Sequence, residues 1–85
     1  MTGWDLKLWR KSMCWSRERA AREMGVSLRT WHTWENSEQV DVIVGYATQA
    51  VSIRDLLPAM HKMRKSDLIT RLEKLLEKPA VAVTD

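Results

Sequence analysis

The side chains in this sequence best suited to chemistry are polar and basic residues that recur every three or four positions after Ser27. That spacing places them on one face of a helix. A guanidinium on such a face can donate two hydrogen bonds to O6 and N7 of guanine. The predicted outward positions are Leu28, Arg29, His32 and Thr33. These residue types favour contact with a nucleic acid.

No arrangement of side chains indicates catalysis, a metal site or a cofactor. Cys14 has no histidine and aspartate at a meaningful spacing, and His32 and His61 are isolated from other ligand types. The sequence contains no glycine-rich phosphate loop. We therefore expect no enzyme activity, no metal and no cofactor. Cys14 is instead predicted to pack between the first two helices, and a lone cysteine fits a reducing cytoplasm.

The segment 17–36 reads as two short helices joined by a tight turn, the outline of a helix-turn-helix. Ser16 is a suitable N-cap for a helix that stops at Gly25, where a left-handed backbone costs glycine little. Ser27 then caps the next helix. Ala21 supplies the small side chain that two steeply crossed helices need where they touch. The core-facing positions around the turn are predicted to be Ala20, Met24, Val26, Trp31 and Trp34.

Three further helices complete a predicted all-α, five-helix fold. The first covers about 5–13, where apolar residues recur at helical spacing. The fourth covers about 40–57 and is expected to end before Pro58, because proline disfavours helix in the residue ahead of it. Its apolar residues cover more than one face, so we expect it to be buried on most sides. The fifth covers about 66–78, with Ser66 as its cap.

The composition fits one small domain. The chain has 85 residues, of which 45% are hydrophobic and 29% are charged, and helix formers dominate. We expect a single domain over 1–78 and a flexible tail over 79–85. No apolar run approaches the roughly 18 residues that cross a bilayer. The expected location is the cytoplasm, without a membrane partner.

The distribution of charge is more informative than its sum of +3. Basic residues outnumber acidic ones between Lys7 and Arg29, where the only acids are Glu18 and Glu23. A basic half of a small domain is typical of a phosphate-binding surface, although a solvated helix face gives the same pattern. The basic residues of this segment are Lys7, Arg10, Lys11, Arg17, Arg19, Arg22 and Arg29.

Five tryptophans without any phenylalanine allow two interpretations. Indoles can stack on the bases of single strands. They also fill the core of a small domain with large apolar surface. We expect the core role for Trp9, Trp31 and Trp34, and leave Trp4 and Trp15 open.

The helix-turn-helix pattern, ending in Trp34-Glu35-Asn36, resembles the Cro/C1-type (XRE-type) repressors of phages and bacteria over about residues 5–57. The resemblance implies a five-helix domain that presents its third helix to the major groove of DNA. It also implies an ion pair between Arg10 of the first helix and Glu35. Trp31 stands where the family usually has valine or isoleucine, so the packing must open to admit an indole.

The resemblance assigns DNA-binding roles by position. Arg17 matches a phosphate contact and Asn36 another. Arg29 is the main candidate for reading a base, with a phosphate contact as its alternative. The residues that match the exposed face of the recognition helix are Ser27, Leu28, Arg29, His32 and Thr33.

The expected function is a sequence-specific transcriptional regulator, a repressor that binds an inverted repeat in double-stranded DNA as a homodimer. Surplus apolar surface on the fourth and fifth helices would form the dimer contact. One alternative is the antitoxin of a toxin pair, whose C-terminal helix binds a protein partner. Another is an adaptor or DNA-packaging module that has no preferred operator.

Overall fold

The computed structural model describes residues 1–77, which form five α-helices and no strand. The predicted all-α class is therefore confirmed for this part of the chain. The predicted tail at 79–85 lies outside the described residues. The helices are α1 (Gly3–Ser12), α2 (Arg17–Met24), α3 (Leu28–Glu35), α4 (Val42–Met60) and α5 (Lys65–Leu75).

Helix α1 begins two residues earlier than predicted, because a capping box fixes its first turn. The Thr2 hydroxyl accepts a hydrogen bond from the Asp5 backbone N–H at 3.0 Å, and the Asp5 carboxylate accepts one from the Thr2 N–H at 2.9 Å. The hydrogen bond from the Thr2 backbone N–H, and after it that of the Thr2 side chain, hold the pKa of the Asp5 carboxyl below its ordinary value. The pattern was present in the sequence but was not used in the prediction.

The bounds of α2 and α3 agree with the predicted caps. Ser16 accepts a hydrogen bond from the Arg19 backbone N–H, and Ser27 accepts one from the Thr30 N–H. Between the helices, Gly25 has φ +70°, the left-handed conformation expected at this position. The turn is thus set by three residues with distinct physical roles.

The predictions for α4 were wrong in two respects. The helix continues through Pro58 to Met60, since a proline in the last turn removes only one intrahelical hydrogen bond. The helix is also not buried on most sides, because a single face packs against the other helices. Its buried residues are Val44, Gly45 and Thr48.

The bounds predicted for α5 also need correction. The helix starts at Lys65 after Arg64, whose side chain makes no capping hydrogen bond, so Ser66 is not the cap. It ends at Leu75, with Leu76 as C-cap, earlier than the predicted end near Lys78. No residue of α5 is buried. Helix α5 packs against α4 outside the core, and its residues Leu68, Leu72 and Leu75 are half-buried.

The core lies where α1, α2, α3 and the start of α4 meet. Trp31 and Leu6 are completely buried in it, so the packing admits the indole predicted for this position. Trp15 is buried as well, and its ring meets that of Trp9 edge to face at 5.6 Å. The buried apolar side chains are Leu6, Trp15, Ala20, Ala21, Trp31, Val40 and Val44.

Cys14 does not pack between the first two helices, contrary to the prediction. It is exposed and has φ +61°, a conformation that non-glycine residues seldom adopt. The turn from α1 to α2 requires this left-handed step, which directs the thiol outward and Trp15 inward. Trp4 is also exposed, at 61%.

A glycine joins α1 to the end of α3. Gly3 is buried, and its N–H donates to the Ser37 carbonyl at 3.0 Å. A Cβ added there would lie only 2.5–2.6 Å from the carbonyl oxygens of Trp34, Glu35 and Ser37. Only glycine permits this approach between the two backbones.

No helix among residues 1–77 is long and apolar enough to cross a lipid bilayer.

Candidate nucleic-acid interface

An open groove on the surface runs along the outward face of α3 and the start of α2. The structure brings together side chains from both helices that are separated by up to sixteen positions in the sequence. Its lining residues are Arg17, Glu18, Leu28, Arg29, His32 and Thr33. All the outward residues predicted on α3 are exposed here, and Leu28 has 45% of its surface accessible.

The groove is held open by packing beneath α3. Trp31 occupies the buried side of the helix, against the small side chains of Ala20 and Ala21 on α2. The Val26 N–H donates to the Ala21 carbonyl at 2.9 Å, which closes the end of α2 after the Gly25 turn. Rigid support below the helix fixes the directions in which its outer side chains project.

Glu35, at the end of α3, binds three side chains from three helices. Its carboxylate accepts hydrogen bonds from Arg10 Nε at 2.6 Å, from Arg17 Nε at 3.3 Å and from Trp31 Nε1. Arg10 also donates to the Trp15 carbonyl at 2.9 Å. The structure thus contains the Arg10–Glu35 ion pair, and both side chains are almost fully buried.

The charge of Glu35 is maintained by these partners. Burial alone would raise the pKa of this carboxyl, but the hydrogen bonds from Arg10, Trp31 and Arg17 and the charge of Arg10 bring it below its ordinary value. Removal of Arg10 would take from the buried charge of Glu35 its principal compensation. The cluster therefore fixes the position of α3 relative to α1 and α2.

Arg17 has a second role that the sequence did not predict. Its Nε contacts Glu35, while the side chain remains 43% exposed at the edge of the groove. The two terminal nitrogens make no hydrogen bond to the described residues. A guanidinium anchored through Nε in this way has lost part of its rotamer freedom before it meets an anion.

Arg29 and His32 differ from the other polar residues of α3. Within residues 1–77, their side chains make no hydrogen bond and no ion pair, so both are available to a ligand. Thr33 Oγ1 donates to the Arg29 carbonyl, and Ser27 Oγ caps the helix. Asn36 Nδ2 donates to the His32 carbonyl at 2.8 Å.

Asn36 does not line the groove, and its amide nitrogen satisfies the carboxyl end of α3. Glu18 does line it, although no role for this residue was predicted. Its position beside Arg17 at the start of α2 was the available signal. A carboxylate in the groove repels phosphate, so it restricts where a nucleic-acid backbone can run.

Among the described residues, no three histidine, cysteine, aspartate or glutamate side chains are grouped so that they could hold a metal ion.

No protein-family model, no curated protein and no solved structure matches this chain.

Proposed function

We propose that this chain is a sequence-specific DNA-binding protein that regulates transcription, acting as a repressor on an inverted repeat as a homodimer. The observation that carries the proposal is α3 itself, a helix buried on its tryptophan side. Its opposite face exposes Arg29, His32 and Thr33 beside Arg17. In DNA-binding domains of this kind, the helix that enters the major groove is packed against the domain on one side and exposed on the other.

The dimensions of α3 suit this role. Its eight residues extend about 12 Å at 1.5 Å per residue, and the major groove is about 12 Å wide. Leu28 lies at its first turn, where an apolar side chain can meet a thymine methyl group. Such a contact would bury the exposed side chain of Leu28 when DNA binds.

The two arginines of the groove are suited to different contacts, one with the phosphate backbone that positions the protein and one with a base that gives specificity. Arg17, held by Glu35, is suited to a phosphate, since its two free nitrogens match two phosphate oxygens. Arg29 has no side-chain partner among residues 1–77 and projects from the first turn of α3 into the groove, so it is suited to guanine. Phosphate contacts of this kind make affinity strongly dependent on salt.

The decisive experiment is selection from random duplexes. We expect the protein to enrich one sequence, an inverted repeat with half-sites about 34 Å apart or a multiple of that distance. The enriched duplex should bind roughly 10³-fold or more tightly than a random duplex at the same salt concentration.

Failure to enrich any sequence would contradict the regulator proposal. In that case the adaptor or packaging role would account for salt-dependent binding without preference. The antitoxin role would require a protein partner on α5, where Ile69 and the C-cap residue Leu76 are exposed. Binding of the enriched duplex by the full chain is the result that supports the regulator.

A further inference from the structure

The exposed side of α4 carries an apolar repeat that the rest of the fold does not use. Apolar residues recur along the whole helix at alternating intervals of three and four residues, which is the spacing of a heptad repeat. We call these six positions the α4 seam. They are Ile43, Tyr46, Ala50, Ile53, Leu57 and Met60.

The α4 seam lies opposite the face of α4 that enters the core. At 100° per residue, the seam positions fall within about a third of the helix circumference, roughly 160° from the core-facing positions. The core side is defined by Val44, Thr48 and Val51. On the seam, Ile43 is 71% exposed and Leu57 is 53% exposed.

Neighbouring helices leave the seam open. Gln49, beside the seam, donates through Nε2 to the Glu77 carbonyl that follows α5. On the other side, Arg54 donates to Glu23 of α2 at 2.8 Å. These contacts attach α4 to α5 and to α2 along its flanks. The seam between them is exposed at Ile43, Tyr46, Ala50 and Leu57 and half-buried at Ile53 and Met60.

We propose that the α4 seam is the contact with a second copy of this chain, with the two α4 helices packed antiparallel. This inference rests on the proposed function only in naming the dimer contact that a two-fold operator requires. A two-fold interface uses the same patch on both copies, so residue i meets j and j meets i. In the register we assign, two residues face each other across the contact when their sequence numbers add up to 103.

The seam is complementary to itself in this register. Ile43 of one copy meets Met60 of the other, and Tyr46 meets Leu57. The small Ala50 meets Ile53 at the centre, where it lets the helices approach closely. Each layer therefore combines two apolar side chains of compatible size, as a well-packed contact requires.

A parallel arrangement fits less well. It would place Ala50 against Ala50 and Tyr46 against Tyr46, which leaves a void in one layer and crowds the next. No charged residue interrupts the seam in either direction. An acidic or basic partner protein would find no complementary charge within it, so a second α4 is the occupant that its chemistry favours.

The first test compares two alanine-to-glutamate changes on the same helix. Ala50 and Ala59 are both exposed, but only Ala50 belongs to the seam. We expect sedimentation equilibrium to show a concentration-dependent dimer for the wild type and for Ala59→Glu. Ala50→Glu should be a monomer, because each copy would bury a carboxylate. Circular dichroism checks that both variants remain helical.

A dimer of unchanged strength for folded Ala50→Glu would overturn the proposal, and so would a wild type that remains monomeric throughout the concentration series. Neither result depends on DNA. The proposed function is tested separately by sequence selection, so failure of the dimer contact and failure of the regulator are distinguishable.

The second test establishes whether the two α4 helices are antiparallel, and it does not require a variant that disrupts the contact. Tyr46→Cys and Leu57→Cys are made separately, each with Cys14→Ser to remove the exposed native thiol. An equal mixture should form a disulfide-linked dimer on mild oxidation, containing one copy of each variant. Neither variant alone should do so, since identical positions would lie 11 residues, or about 16 Å, apart along the seam.

Equally fast cross-linking of each variant with itself would indicate parallel helices and overturn the assigned register. The absence of a cross-link in the mixture would overturn the contact itself.

Discussion

Arg29 is the residue whose chemistry carries most of the functional proposal. It is exposed and has no side-chain partner among the described residues, on a helix whose other side is fixed by Trp31. We expect Arg29→Ala to weaken binding to the selected duplex by about 1–3 kcal/mol and to relax preference at one base pair. Fluorescence anisotropy with single-base variants of the duplex measures both effects.

Arg71→Ala, which removes an exposed arginine from α5, is the matched control and should leave affinity nearly unchanged. Unaltered operator affinity in Arg29→Ala would show that this side chain does not read a base.

Arg17 is expected to act on all duplexes alike. Arg17→Ala should weaken binding to selected and random DNA by the same factor, because a phosphate carries no sequence information. The slope of log affinity against log salt should fall by about 0.9, the value for one phosphate contact. Titrations at several salt concentrations test this expectation. A loss confined to the selected duplex would instead assign Arg17 a role in base recognition.

At the scale of the element, the turn between α2 and α3 depends on Gly25. Its φ of +70° is strained for any residue with a side chain, although no atom lies within 4 Å of an added Cβ. We expect Gly25→Ala to lower the free energy of unfolding by about 1–2 kcal/mol for conformational reasons alone. Urea denaturation measures this loss.

Gly25→Asn is the informative control, because asparagine tolerates the left-handed region better than alanine does. It should cost less than the alanine variant. Equal stability of all three proteins would mean that the turn can relax into another conformation.

Helices α2 and α3 and the turn between them were predictable because their signals are local. Ser16, Gly25 and Ser27 each act on the backbone within three residues, and sequence alone placed them correctly. The end of α4 was not predictable by the same reasoning. Pro58 has a strong local preference against helix in the residue before it, and the observed helix overrides it.

The burial of α4 was misjudged for a different reason. The apolar residues around a helix show how much of its surface would be stabilised by burial. They do not show which other part of the molecule packs against each side. In this chain the core takes the face containing Val44 and Thr48, while Ile43 and Leu57 stay exposed. The contact of Arg17 with Glu35 likewise depends on how three helices meet, so no spacing in the sequence could reveal it.

At the scale of the whole molecule, Glu35 links stability to pH. The folded-state pKa of this carboxyl is lowered, so its contribution is fully present above the unfolded-state value of 4.5 and is lost as the pH falls through the folded-state value. We expect Glu35→Gln to destabilise the protein by about 3–5 kcal/mol at neutral pH, because buried Arg10 loses its opposite charge.

The difference in the free energy of unfolding between the wild type and Glu35→Gln should narrow below about pH 4.5. Thermal unfolding measured across the acid range tests this expectation. Asp5 also has a lowered pKa, but it is present in both proteins and cancels in the difference. Glu38→Gln, the same change at an exposed loop position, should follow the wild type. A difference that stays constant with pH would contradict this role for Glu35.

The close approach of Gly3 to the three carbonyl groups at the end of α3 has a mechanical consequence. Because these backbones leave no room for a Cβ between them, we expect the first and third helices to move as one body. A helix held in this way cannot change its orientation to fit the surface of a ligand. If DNA is the ligand, the duplex must supply the bending, so operators would also be ranked by how easily their untouched base pairs deform.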